Sequence, residues 1–260
     1  MSCAKVACAI PASRPDQHIL SRFPLLLCLF FAFALATTVV AAPVESTGSL
    51  VRIRAIASDG TLKVGSGVVI GPDRVATACH VTRQAATIQI IHENQRWTTR
   101  AQTGSVMRDV CVLSVAPARI DLPIAALRDS TDLRAGERVM AASFQGGRRV
   151  PIVSEGVVTG LYAYDGGDVI RTTAPFDFGS SGGALFDAAG RLVGLLAFKA
   201  RDENLRYAVP SEWIAASIDV PVEFPIDPTR PQIAFWERTL LDRPAFLDAG
   251  GSHGAAARKP

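Results

Sequence analysis

Gly65-Ser-Gly-Val-Val-Ile-Gly-Pro-Asp-Arg-Val-Ala-Thr77-Ala-Cys-His80-Val81 reads as a glycine-bracketed strand, a turn, a second strand and an imidazole at its end. The same texture continues on both sides. Leu50–Ile56 alternates apolar and polar side chains, as a half-buried strand does. Short apolar runs recur at 68–70, 86–91, 110–115, 138–143, 169–173 and 191–198, with turn signals such as Ser58-Asp-Gly60 and Asp165-Gly-Gly167 between them. Many short strands at this spacing predict an all-β barrel or sandwich. The clearest helical signal lies at Pro210–Ile218, where Ser211 is placed to cap, and Ile233–Leu241 reads as one further short helix. A connector over 116–132 divides the strands into two halves of similar size.

Composition sets the outer limits. The chain has 260 residues, 48% of them apolar, and a formal net charge of +3. Residues 1–41 hold +2 of that charge, which leaves the rest close to neutral and excludes a basic nucleic-acid-binding face. A weakly basic start, the apolar run Phe23–Ala36 and small residues up to Ala42 make 1–41 a signal peptide, with cleavage after Ala36 or Ala41. If it is not removed, residues 23–40 anchor the chain to a membrane. The expected location is therefore periplasmic or secreted, with a membrane as partner only through an uncleaved leader. Cys3, Cys8 and Cys28 belong to this leader, so Cys79 and Cys111 remain for an oxidising compartment. No His/Cys/acid cluster has metal-ligand spacing, and no cofactor motif is present.

The chemistry centres on Phe176-Asp-Phe-Gly179-Ser-Ser181-Gly-Gly-Ala-Leu-Phe-Asp187. Glycines around two serines let backbone N–H groups converge. A serine in such a turn can attack a carbonyl, and the N–H groups of Gly179 and Ser181 can receive the oxygen as it turns negative. Nucleophilic catalysis also needs a base to take the hydroxyl proton and an acid to fix the base's tautomer. His80 ends one strand and Asp109 begins another, Asp109-Val-Cys-Val-Leu, so His80, Asp109 and Ser181 supply the three roles. His92 reads as a solvated loop residue and His253 lies in the tail. Gly179-Ser-Ser181-Gly-Gly also fits the Gly-x-Ser-x-Gly elbow of α/β-hydrolases. That chemistry requires a histidine after the serine, and the only one is His253.

Thr77-Ala-Cys-His80-Val, Asp109-Val-Cys-Val-Leu and Gly179-Ser-Ser181-Gly-Gly-Ala-Leu resemble the three signature blocks of chymotrypsin-like serine proteases. Gly136-Glu-Arg-Val-Met, Glu155-Gly-Val-Val-Thr-Gly160, Gly190-Arg-Leu-Val-Gly194 and Tyr207-Ala-Val-Pro-Ser211 bring the chain nearer to the protease domain of the HtrA (high-temperature-requirement) group. The resemblance covers about residues 48–218. It implies two six-stranded β-barrels, 48–128 and 129–220, with a short C-terminal helix and a catalytic cleft between them. It implies a serine endopeptidase acting on polypeptide substrates, with His80 as base, Asp109 as orienter and Ser181 as nucleophile. The alternative is a catalytically weak peptide-binding or chaperone-like module on the same fold. By the same resemblance, Ala174, Pro175 and Phe176 with Leu195, Leu196 and Ala197 form the walls of the primary substrate pocket. No carboxylate is among them, which predicts cleavage after small or medium apolar residues.

Departures from the family pattern are informative. Digestive members carry an Asp before the nucleophile to receive a newly cut N-terminus, and here that position is Ser180. Residues 221–260 read as an extended or disordered tail, too short for the PDZ domain the HtrA group usually adds. Cys79 precedes the base and Cys111 lies two residues beyond the acid, on the same strand face as Asp109. If base and acid touch, the two thiols meet as well, which predicts a Cys79–Cys111 disulfide.

Overall fold

The computed structural model describes residues 46–200, 205–221, 233–239 and 241–248; the expected leader, 1–41, lies outside them. Thirteen strands among the described residues carry the fold. The first half comprises β1 (Leu50–Ile56), β2 (Leu62–Gly71), β3 (Arg74–Thr77), β4 (Thr87–His92), β5 (Gln95–Thr98), β6 (Ala101–Ser105) and β7 (Val110–Ser114). These make one antiparallel sheet in the order β5-β4-β1-β2-β3-β7-β6. The second half comprises β8 (Arg138–Ser143), β9 (Ile152–Tyr164), β10 (Gly167–Thr172), β11 (Ala184–Asp187), β12 (Leu192–Lys199) and β13 (Arg206–Pro210). They close into a six-stranded barrel in the order β10-β13-β12-β11-β8-β9.

Alternation decides which face of each strand is buried. In β1, Val51, Ile53 and Ala55 enter the core of the first sheet while Arg52 and Arg54 stay half-exposed. Leu50, Val68, Ala76, Val110 and Val112 belong to another cluster, shared with Ala142, Phe144, Ala184 and Phe186 of the barrel. This shared apolar layer holds the sheet against the barrel, and the expected site lies over it.

The all-β expectation holds, and the second half is the six-stranded barrel. The first half differs in detail, being a sheet of seven strands. Its extra edge comes from the polar stretch after β4. His92 pairs with Gln95 across a two-residue turn in which Glu93 takes φ 49°, so the expected solvated loop is a hairpin tip. The edge strand β5 is short and mostly exposed and polar, which discourages pairing with another chain.

The helix α2 (Glu212–Ser217) forms within the expected span, but Ser211 does not cap it. Its hydroxyl donates instead to the Arg128 carbonyl at 2.6 Å, tying the helix start to the connector. Parts of the expected extended tail are also packed. Phe235 is fully buried and Phe246 nearly so, against Tyr162, Tyr164 and Trp213. Burying one such ring contributes about 1.5–3 kcal/mol, enough to hold two short segments whose regular structure is a single 3-10 turn each, Phe235–Glu237 and Ala245–Leu247.

Among the described residues, no helix is long and apolar enough to cross a membrane.

Candidate active site

His80 does not end a strand. After β3 the chain turns into a single helical turn, α1 (Cys79–Thr82), and His80 is its second residue. Asp109 sits in the turn before β7 with φ 59°, a left-handed conformation that aspartate tolerates better than most side chains. That twist aims the carboxylate back at α1. Oδ1 accepts the His80 backbone N–H at 2.8 Å, and Oδ2 lies 2.7 Å from Nδ1. The Asp109 carbonyl accepts the Cys79 N–H at 3.3 Å. An ionised carboxylate only accepts, so Nδ1 carries the proton and Nε2 keeps its lone pair.

Burial of the imidazole works against its charged form. The Asp109 charge and hydrogen bond, with help from Glu237, outweigh that burial and the opposing Arg83. The result is a His80 pKa above the ordinary 6.5. Asp109 itself is fully buried.

The expected disulfide is present. Cys79 and Cys111 are bonded, with Cα atoms 4.9 Å apart. They flank the base and the acid, so the bond clamps α1 to β7. Closing a loop of 32 residues contributes about 3–4 kcal/mol in the chain-entropy model. A Cys79→Ala/Cys111→Ala double variant is expected to lose that much in denaturant unfolding. Alkylation of the unreduced, denatured protein should leave both cysteines unlabelled; label on either would disprove the bond.

The serine turn distinguishes its two hydroxyls. Ser180 is fully buried, accepts from Ser143 Oγ at 2.9 Å and receives the Asp177 N–H at 3.3 Å, so it is structural. Ser181 is partly exposed. Gly179 takes φ +87° and Gly182 φ +79°, so both need the glycine backbone. Among the described residues, the Gly179 and Ser181 N–H groups donate to no protein acceptor, whereas Ser180, Gly182 and Gly183 all do. Two free donors, one on each side of Ser180, are what a developing oxyanion requires.

Ser66, in the Gly65-Ser-Gly motif, laces the site together. Its N–H donates to the Ser181 carbonyl at 2.8 Å, and its own carbonyl accepts Thr77 Oγ1 at 2.7 Å. Its hydroxyl donates to the Gly179 carbonyl at 3.1 Å and accepts the Phe144 N–H at 2.9 Å. A Cβ on Gly65 would press at once on Val81, the residue after the base, and on the Ser181 carbonyl, at 2.8 and 3.0 Å. The serine turn and the helical turn that carries His80 therefore both pack on Gly65 of β2. Sequence reading missed Ser66 although the motif was in view; the missed signal was a hydroxyl inside an otherwise apolar, buried strand.

A trypsin-like peptidase domain model matches residues 65–195, a span containing the base, the acid and the serine turn. The chain belongs to the trypsin-like peptidase family. It is 28% identical over 172 residues to the serine protease Do-like HtrB of Bacillus subtilis, covering 59% of this chain and 37% of that one. It is 29% identical over 160 residues to the human serine protease HTRA4, covering 58% and 33%. The chain thus spans little more than a third of the length of these curated trypsin-like relatives. The active form of the Rv3671c protease from M. tuberculosis shares the fold at TM-score 0.63 and 22% identity, covering 84% of this chain and 97% of that one. The HtrA-type protease AlgW with tripeptide superposes at TM-score 0.58 and 24% identity, covering 66% and 59%.

The expected pocket residues divide within the trypsin-like barrel. Ala174, Phe176 and Leu196 join one buried cluster, Leu195 and Ala197 another, and Pro175 is exposed. Strand alternation in β12 makes this unavoidable, because Leu195 and Leu196 point to opposite faces.

Proposed function

We propose that the chain is a serine endopeptidase. Ser181 attacks the scissile carbonyl, His80 Nε2 takes its proton, and Asp109 holds the Nδ1–H tautomer and balances the imidazolium. The N–H groups of Gly179 and Ser181 stabilise the oxyanion, and collapse expels the amine with the proton His80 holds. Water then hydrolyses the acyl-enzyme by the same route. The observation that carries this reading is the buried Asp109 carboxylate binding both the backbone and the ring of His80. Ser181→Ala is expected to abolish cleavage of a denatured protein substrate while the melting temperature stays within a few degrees. Undiminished cleavage by that variant would refute the assignment.

The pH dependence has two parts of opposite sign. His80 binds its proton more tightly folded than unfolded, so the protonated pair adds stability that is complete below about pH 6.5. That stability is lost as pH rises through the folded value. A general base must be neutral, so kcat/KM should rise over the same interval, above 6.5. Parallel pH titrations of kcat/KM and of unfolding free energy check both limbs. Limbs running in the same direction would contradict the assignment of His80.

The substrates in this reading are polypeptides, cut after small or medium apolar residues held beside the segments 174–176 and 195–197, which carry no carboxylate. Profiling with a peptide library tests this, and a strong preference for Arg would overturn it. With 1–41 read as a signal peptide, we place the enzyme in the periplasm or outside the cell, and the Cys79–Cys111 bond supports an oxidising compartment.

A further inference from the structure

Beyond residue 195, where the family match ends, the tail returns to the dyad. The Trp236 indole N–H lies 3.3 Å from Asp109 Oδ2, the oxygen that also holds His80 Nδ1. The indole meets the His80 ring edge-on at 5.3 Å and stacks on Phe198 at 5.0 Å. Phe198 stacks in turn on Tyr207 at 4.8 Å, so a column of rings runs from β13 through β12 to the base.

The segment is anchored on both sides of the indole. Phe235 is fully buried, and its N–H donates to the Met107 carbonyl at 2.9 Å, two residues before Asp109. Glu237 takes two bonds from Arg83, the residue after α1, one of them Nη2 to Oε1 at 2.7 Å. The Ala234 N–H donates back to Glu237 Oε2 at 2.9 Å.

We propose that Ala234–Glu237 is a strap that completes the catalytic apparatus, with Trp236 a positioning residue that holds the Asp109 carboxylate and the His80 ring in register. The proposal rests on the serine endopeptidase reading above. Oδ1 receives a backbone N–H, and Oδ2 receives the imidazole and the indole, so the carboxylate cannot rotate without losing a donor. The indole also spreads the carboxylate charge away from His80. The other charged groups around the base are Arg83 and Glu237, which pair with each other, and Lys63 on β2, which feels both.

The test uses the full chain. Trp236→Phe keeps a ring and removes the donor; 3-benzothienylalanine at 236 keeps the indole's shape without its N–H. The His80 pKa is read by NMR, and the pH dependence of fluorophosphonate labelling and the kcat–KM split are read alongside. Both replacements should raise the His80 pKa by about half a pH unit or more, because the carboxylate then acts on His80 alone. The acid limb of labelling should follow, and kcat should fall several-fold with KM little changed. An unmoved His80 pKa in the benzothienyl protein would overturn the proposal, whatever happens to the rate. Failure of the wild type to label would refute the endopeptidase reading instead, and the NMR titration would still decide the role of Trp236.

Discussion

Asp109→Asn is expected to lower kcat by about four orders of magnitude while the protein stays folded. Three donors converge on this side chain: the His80 backbone N–H on Oδ1, and the His80 ring and Trp236 indole on Oδ2. An asparagine offers one oxygen and one NH2 group, so one side must present a donor to a donor. If the amide oxygen keeps the backbone N–H, the NH2 faces Nδ1 and forces the ring proton onto Nε2. Nε2 can then no longer accept the Ser181 proton, and the base is lost although every heavy atom is in place. The mismatched buried pair should also cost about 1–3 kcal/mol of stability, which a melt would register. A variant retaining a tenth or more of wild-type kcat would show that Asp109 does not set the tautomer.

Gly182→Ala should be the most damaging single change in the serine turn. Its Cβ would lie 2.3 Å from the Ser66 carbonyl oxygen, 2.4 Å from Thr77 Oγ1 and 2.8 Å from the Ala78 nitrogen. None of these can yield separately, because Ser66 and Thr77 are bonded to each other and Ser66 N–H holds the Ser181 carbonyl. Gly182 also takes φ +79°, which adds about 1–2 kcal/mol for any residue with a Cβ. A loss of roughly 3 kcal/mol or more is expected, together with loss of reactivity at Ser181. Gly60→Ala is the matched control: its φ is +85°, but nothing lies within 4 Å of the added Cβ. It should therefore cost about 1 kcal/mol and leave activity intact. Equal effects of the two substitutions on denaturant unfolding would show that backbone strain, not the packed turn, is responsible.

Much of this arrangement was legible in the chain because its signals are local. Alternation in Leu50–Ile56 and the turn residue pairs specify strands, and glycines flanking Ser181 specify a turn only they can make. The Cys79–Cys111 bond followed from base–acid contact, since each cysteine rides on a residue of the pair. What escaped was non-local or ambiguous in type. The family motif already pointed to Ser181 rather than Ser180, but the reason Ser180 is structural, its burial against Ser143, is not written in the chain. The six expected pocket residues were named by position, but alternation along β12 sends Leu195 and Leu196 into different cores. Trp236 and Glu237 lie just after a proline-rich arm, in Ile233–Leu241, which reads as a short helix and forms a single 3-10 turn at Phe235–Glu237. Their placement depends on Phe235 finding Tyr164 and Trp213, which no short window of sequence encodes. The one available clue was the Phe235-Trp236 pair itself, large rings where a solvated tail has no use for them.

The central claim is that Ser181 is an activated nucleophile served by His80. Its most direct test is treatment of the folded protein with a fluorophosphonate, followed by peptide mapping in the wild type and in His80→Ala. The account predicts a single adduct on Ser181 in the wild type and a rate at least about a thousandfold slower in the variant. An adduct on another residue, or labelling of Ser181 at the same rate without the imidazole, would contradict it.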